Sequence, residues 1–224
     1  MKVLAIDTAD QCCSSALLVD DKLLEHEIQG ERVHAEVLLP MIERLLAEAG
    51  VTLTGLDGLA FGRGPGAFTG LRVAAAMAQG LAYGAGIPVV PVSNLLALAA
   101  SANRQHGFGR ILAVLDARMH EVYWGAFEVH RDEIKPLTVE ILCPPEALSP
   151  PMDSQWFGAG SGWAAYPEAL KGRVSSLQGV DAGCHGTAGE IAKLGYKALK
   201  RGEAVPPELA LPVYLRDNVA TPKI

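Results

Sequence analysis

The sequence predicts an α/β protein built from two similar units. Three observations carry this: a meander of short strands opens the chain, an amphipathic helix follows it, and near the middle the same pattern begins again. With 224 residues the chain has room for two units of roughly 100 residues, each able to bury a core.

In order, Val3–Ile6, Ser15–Val19 and Leu23–Ile28 read as strands, with Asp20-Asp21 as the turn between the second and third. From His34 to Ala49, apolar residues recur at three- and four-residue steps, while Glu36, Glu43, Arg44 and Glu48 fall on the other face. This helix ends at Gly50, and Pro40 inside it predicts either a kink or a regular part that begins near Val37. Leu56–Phe61 reads as a fourth strand. A second helix then runs from Ala67 to Tyr83, with Arg72 its only charge and glycines and alanines making it thin. Ile87–Val92 is a strand and Ser93–Asn103 a third helix, with Ser93 as its N-cap. The segment from Arg110 to Arg118 (RILAVLDAR) then echoes Lys2 to Ala9 (KVLAIDTA), and Val122–Val129 follows as a strand. The later part, with Pro144-Pro145 and Pro150-Pro151, is loop-rich. A helix from Thr187 to Lys200, the Pro206-Pro207 linker and the tail LPVYLRDNVA close the chain. Two lobes, 1–103 and 104–224, are expected, with the tail free to pack back on the first.

Half of the residues are hydrophobic and 20% charged, which excludes a disordered chain. The net charge is −6, and the first 103 residues carry 6 Lys and Arg against 11 Asp and Glu. A broad basic face for nucleic acid is therefore not expected. Cys12, Cys13, Cys143 and Cys184 contain no CxxC pair, so neither a zinc knuckle nor a disulfide framework is indicated and a reducing cytoplasm fits. The apolar run before Asp7 is too short for a signal peptide, and Val73–Ala100 is too interrupted to span a bilayer.

The segment Phe61–Arg72, FGRGPGAFTGLR, joins a strand to a helix N-terminus, where backbone N–H groups can meet an anion. It has neither the lysine of a P-loop nor GxGxxG spacing, so a tight structural turn is the favoured reading. His34-Ala35-Glu36-Val37-Leu38 lacks the second histidine of a zinc-protease helix, and no GxSxG elbow occurs. Asp7 and Asp116, each at a strand end, suit either turn caps or magnesium ligands in a phosphotransferase cleft. The glycines of Phe157–Trp163 read as a flexible turn, with nucleotide-base contact the lesser alternative.

Taken together, LAIDTA, GRGPGAFTGLRVAAAMAQGLA, LDARMHEVYW and LPVYLRDN resemble the TsaB family, also called YeaZ, over essentially the whole chain. The resemblance implies two RNase-H-like lobes of the actin, sugar-kinase and heat-shock-protein (ASKHA) type, with mixed sheets and flanking helices. It also implies a role in forming N6-threonylcarbamoyladenosine at position 37 of tRNAs that read ANN codons. In that system the related TsaD protein performs the transfer, TsaB is its heterodimeric partner and TsaE is an associated ATPase.

By the same comparison, Asn94 and Leu98 stand where TsaD relatives bear a metal-binding HxxxH, and neither replaces an imidazole. No catalytic residue, metal or cofactor is therefore expected. Asp7, Thr8 and Asp116 would outline a vestigial nucleotide cleft, and whether ATP or ADP still binds is left open. Val37, Met41 and Leu45 of the first helix, with Leu71, Ala74, Met77, Ala78 and Leu81 of the second, are the expected partner interface, covered by TsaD or by a second copy of this chain. Only one face of each helix is expected to serve, the other packing internally. Contact with tRNA is expected to be indirect and contact with membrane absent. The alternatives are a small-molecule kinase or ATPase using Asp7 and Asp116 and, weakest, a glycoprotease-like peptidase.

Overall fold

The computed structural model describes residues 1–10, 12–30, 34–131, 133–151 and 154–216, so Asp217 and Asn218 of the tail motif lie outside the described residues. The first half runs β1 (Lys2–Asp7), β2 (Cys12–Val19), β3 (Lys22–Gln29), α1 (His34–Ala49), β4 (Gly58–Gly64), α2 (Phe68–Ala85), β5 (Val89–Ser93) and α3 (Asn94–His106). Its sheet has the order β3-β2-β1-β4-β5, antiparallel through the meander and parallel from β1 outward.

The second half repeats this order. It runs β6 (Arg110–Asp116), β7 (Val122–His130), β8 (Glu133–Pro136), β9 (Ile141–Cys143), β10 (Trp156–Ala159), α4 (Gly162–Ala165), α5 (Pro167–Lys171), β11 (Leu177–Asp181) and α6 (Ala188–Lys200). Its sheet has the order β8-β7-β6-β10-β11, with β9 added against β7. The echo between Lys2–Ala9 and Arg110–Arg118 thus marks topologically equivalent strands. This is the two-lobed α/β architecture that the resemblance implies.

The central strands of each sheet are covered on both faces, with alternate residues pointing to opposite sides. In β1, Leu4 and Ile6 face α1 and α2, while Val3 and Ala5 face α6. In β6, Ile111 and Ala113 face α3, while Leu112 and Val114 pack with Trp124, Trp156 and Trp163. The lobes therefore exchange helices: α3 covers the second sheet and α6, from the end of the chain, covers the first. Close approach of α6 depends on Gly195, whose Cβ would lie 2.5 Å from that of Ala60.

Local chemistry sets the ends of these helices. Ser93 caps α3, its side chain accepting the Leu96 N–H at 3.1 Å, and Gly107 closes the helix in the left-handed conformation. Thr187 caps α6 in the same way through Glu190. Helix α1 runs unbroken through Pro40, which is exposed with Glu36, so the carbonyl deprived of its donor lies on the solvent side.

Candidate functional site

A cleft of about 780 Å³ lies between the lobes. Its walls are Ala9 and Asp10 after β1, the Pro65–Leu71 entry to α2, Leu115–Arg118, Ser161 with Ala164 and Ala165, and Val213–Arg216 of the tail. Asp116 lines it with a carboxylate already engaged: the Arg118 N–H donates to Oδ1 at 2.9 Å, and the Arg118 guanidinium lies 3.1 Å from Oδ2. The N–H of Asp116 donates in turn to Ser161 Oγ at 3.1 Å. The turn that follows is strained, with Arg118, Met119 and His120 all left-handed at φ 60°, 56° and 59°. Arg216 braces it, donating to the Arg118 carbonyl and pairing with Glu121.

Asp7 does not join Asp116 in the cleft. Its side chain is buried behind the wall, with both carboxylate oxygens 3.0 Å from Asn94 Nδ2, and Oδ1 also accepts the Ala9 N–H at 3.1 Å. Burial pushes its pKa up to about 6, outweighing the hydrogen bonds from Asn94 and Ala9 that lower it. Thr8 is fully buried and donates through Oγ1 to the Gly70 carbonyl at 2.7 Å. The expected trio of Asp7, Thr8 and Asp116 therefore separates, with only Asp116 on the cleft surface. Magnesium bound by two facing carboxylates would need Asp7 to be open as well.

Asn94 is the hub of this junction. While its amide nitrogen donates to Asp7, its Oδ1 accepts the Gly64 N–H at 2.7 Å, so both ends of the side chain are used internally. Leu98, one turn on, is fully buried in the core beneath the second sheet. The glycine segment has the same structural purpose. A Cβ on Gly62 would strike Asp7 and Asn94, one on Gly66 would lie 2.5 Å from the Ala9 carbonyl oxygen, and one on Gly70 would overlap the Thr8 carbonyl. These glycines let the start of α2 rest on the backbone of the turn after β1. The Phe157–Trp163 segment is likewise a packed strand-to-helix turn, Trp163 being 2% exposed and bonded through Nε1 to the Leu112 carbonyl.

The other candidate surface is the outer side of α1 and α2. Of the expected interface residues, Met41, Leu45, Leu71, Ala74 and Ala78 are buried in the chain's own core against the first sheet, whereas Val37, Met77 and Leu81 are half-buried. That assignment took much of the inward stripe of each helix for the outward one. What α2 presents outward is Thr69, Arg72, Ala76, Gly80, Tyr83 and Gly84, with Tyr83 80% exposed. Among the described residues, a Cβ on Gly80 or Gly84 would meet nothing beyond its own helical turn within 4 Å. Leu39 adds an exposed apolar side chain on α1.

The tail packs back on the first lobe, as the sequence reading allowed, through partners that reading did not name. Tyr214 packs on Phe68 with ring centroids 5.3 Å apart and accepts the Arg72 Nε–H at 3.1 Å, and the Val213 N–H donates to the Arg63 carbonyl at 2.7 Å. The tail is thereby fastened to β4 and the start of α2. The motif LPVYLRDN contained these residues, but their partners lie more than 140 positions away.

Comparison with known proteins places these features in a family. The family described as "TsaD: tRNA N6-adenosine threonylcarbamoyltransferase" matches residues 27–224. The chain is 39% identical to the "tRNA threonylcarbamoyladenosine biosynthesis protein TsaB" of Escherichia coli, covering 100% of this chain and 98% of that protein. It is 35% identical to the protein of the same name from Haemophilus influenzae, covering 100% and 97%. Among solved structures, "YeaZ from Pseudomonas aeruginosa" superposes with a TM-score of 0.91 at 45% identity, covering 96% of this chain and 99% of that one.

Proposed function

The chain belongs to the TsaB family, and from that premise we propose that it serves tRNA threonylcarbamoyladenosine biosynthesis as a partner subunit of a TsaD-type transferase rather than as the transferase. The observation that carries this reading is the outer face of α2, where Ala76, Gly80 and Gly84 form a thin, open strip beside the exposed Tyr83. Such a strip admits a second helix at short range, and an aromatic anchor beside it is the usual centre of a protein interface.

The junction beneath the cleft supports the non-catalytic half of the reading. Asn94 spends both ends of its amide on Asp7 and Gly64, and Leu98 offers no donor, at the positions where the resemblance sets the transferase's histidine pair. The net charge of −6 fits a subunit that leaves most tRNA contact to its partner. In the absence of the transferase, the same helix face would join two copies of this chain.

Light scattering coupled to size-exclusion chromatography tests the proposal on the chain mixed with a TsaD-type transferase from the same source. A one-to-one species is expected, and Gly80→Arg should weaken it more than about tenfold, because a long charged side chain would be wedged into the contact. The thermal midpoint of the isolated variant should hold or rise, since among the described residues nothing outside the helix's own turn lies within 4 Å of a Cβ there and arginine is the better helix former. A heterodimer formed equally well by Gly80→Arg and Ala76→Arg would remove this face from the interface, and no heterodimer with the unaltered chain would remove the proposal.

A further inference from the structure

Away from the cleft, a second group of side chains converges from three places in the sequence. Cys12 begins β2, Glu27 lies on β3, and His185 sits in the segment between β11 and α6. Their sulfur, carboxylate oxygen and imidazole nitrogen lie within 4.8 Å of one another.

The backbone sets this convergence. In the β2–β3 register Ser14 pairs with Glu27 and Cys12 with Gln29, so Cys12 and Glu27 are diagonal neighbours on one face of the ribbon. His185 is held above that face by bonds of its neighbours: the Ala188 N–H donates to Ser14 Oγ at 3.0 Å and the Gly189 N–H to Glu25 Oε1 at 2.7 Å. Strand pairing and the start of α6 bring the three donors together, and His185 and Glu27 are in direct contact.

The imidazole supplies a second, independent observation. Nδ1 lies 3.3 Å from the Gly183 carbonyl oxygen and Nε2 lies 3.1 Å from Glu27 Oε1, so both ring nitrogens face acceptors. A neutral imidazole has one N–H to give. With that N–H on the Gly183 carbonyl, the Nε2 lone pair and the Glu27 carboxylate aim at one point, which is filled either by a second ring proton, as a His185–Glu27 ion pair, or by a bound cation. A backbone carbonyl on the far nitrogen is also the usual support of a metal-bound histidine.

We propose that Cys12, Glu27 and His185 form a binding site for a divalent cation of the zinc class, joining the segment that leads out of the second lobe to the sheet of the first. One thiolate, one carboxylate and one neutral imidazole balance a dication and match zinc's preference for sulfur, nitrogen and oxygen donors. Ligands about 2.0–2.3 Å from a tetrahedral ion stand about 3.3–3.8 Å from one another, which a small rotation of these side chains achieves. Binding displaces the Cys12 thiol proton to solvent and leaves one position of the tetrahedron for water. The site does not depend on the transferase partnership, and its test is separate.

The full chain, stripped with a chelator, would be titrated with Zn²⁺ by calorimetry and with Co²⁺ by absorption spectroscopy. One ion per chain at micromolar concentrations is expected, with a thiolate-to-cobalt charge-transfer band and a raised thermal midpoint. Cys12→Ser and His185→Ala should each weaken zinc by more than about tenfold and lose the stabilisation, with Cys12→Ser also losing the band. Cys143→Ser should change none of these. If a variant fails to fold, Glu27→Gln, at a side chain 28% exposed on an edge strand, provides the same comparison. No zinc uptake at micromolar concentrations, uptake unaltered by the substitutions, or bound cobalt without a thiolate band would each reduce the group to an ion pair between His185 and Glu27.

Discussion

Asp7 and Asp116 end equivalent strands, β1 and β6, in two lobes of the same topology, yet their surroundings are opposite. Asp7 is 3% exposed, enclosed by Asn94, Gly62 and the Ala9 backbone, and holds a carboxyl pushed up to about 6. Asp116 stands in the cleft wall beneath an arginine that is largely in solvent. The contrast teaches that equivalent positions in a repeated fold need not share a role. In the first lobe the strand end has become a packing junction that seats α2, and in the second it remains a surface.

The largest expected effect tests that junction. Gly70→Ala should destabilise the chain by about 4 kcal/mol or more, or prevent folding, because its Cβ would occupy the Thr8 carbonyl and neither backbone segment can yield without moving a strand or a helix. At the second-lobe counterpart, Ser161→Ala removes the acceptor for one N–H and should cost about 1 kcal/mol. Denaturant melts of both variants measure the difference, and equal losses would show that the two strand ends are built alike.

A smaller effect follows from the Asp7 carboxyl. Its folded-state pKa of about 6 lies above the 3.8 of an unperturbed aspartate, so between these values the folded chain holds a proton that the unfolded chain has lost. Stability contributed by this group is full below about pH 4 and falls as pH rises through about 6, by about 3 kcal/mol in total. Urea melts from pH 4 to pH 8 should show this decline. Asp7→Asn should flatten it, while Asp116→Asn should keep it. A decline that survives in Asp7→Asn would place the responsible group elsewhere.

The opening meander, α1 and the Ser93 cap of α3 were legible because each is written in neighbouring residues: a turn pair, a helical period, a hydroxyl before a helix. The enclosure of Asp7 was not, since Asn94 reaches it from 87 positions away and a strand-end aspartate looks the same whether it meets solvent or an amide. The inward and outward faces of α2 differ in sequence by little more than Arg72 and Tyr83 among alanines and glycines, and the sheet beneath decides that Leu71, Ala74 and Ala78 are core. The convergence of Cys12, Glu27 and His185 depends on a strand register and an exchanged helix, which local pattern does not encode.

The same helix gives the finest version of the comparison. Gly70 and Gly80 both lie in α2, but Gly70 is pressed on Thr8 whereas, among the described residues, nothing beyond its own helical turn lies within 4 Å of a Cβ at Gly80. A helical glycine in open surroundings costs conformational entropy without any packing return. Gly80→Ala should therefore stabilise the isolated chain by about 0.5–1 kcal/mol, opposite in sign to Gly70→Ala. If Gly80 is kept small for a partner's approach, the same methyl should weaken heterodimer formation with a TsaD-type transferase. A melt that rises while association falls would separate what this position does for the partner from what it does for the fold.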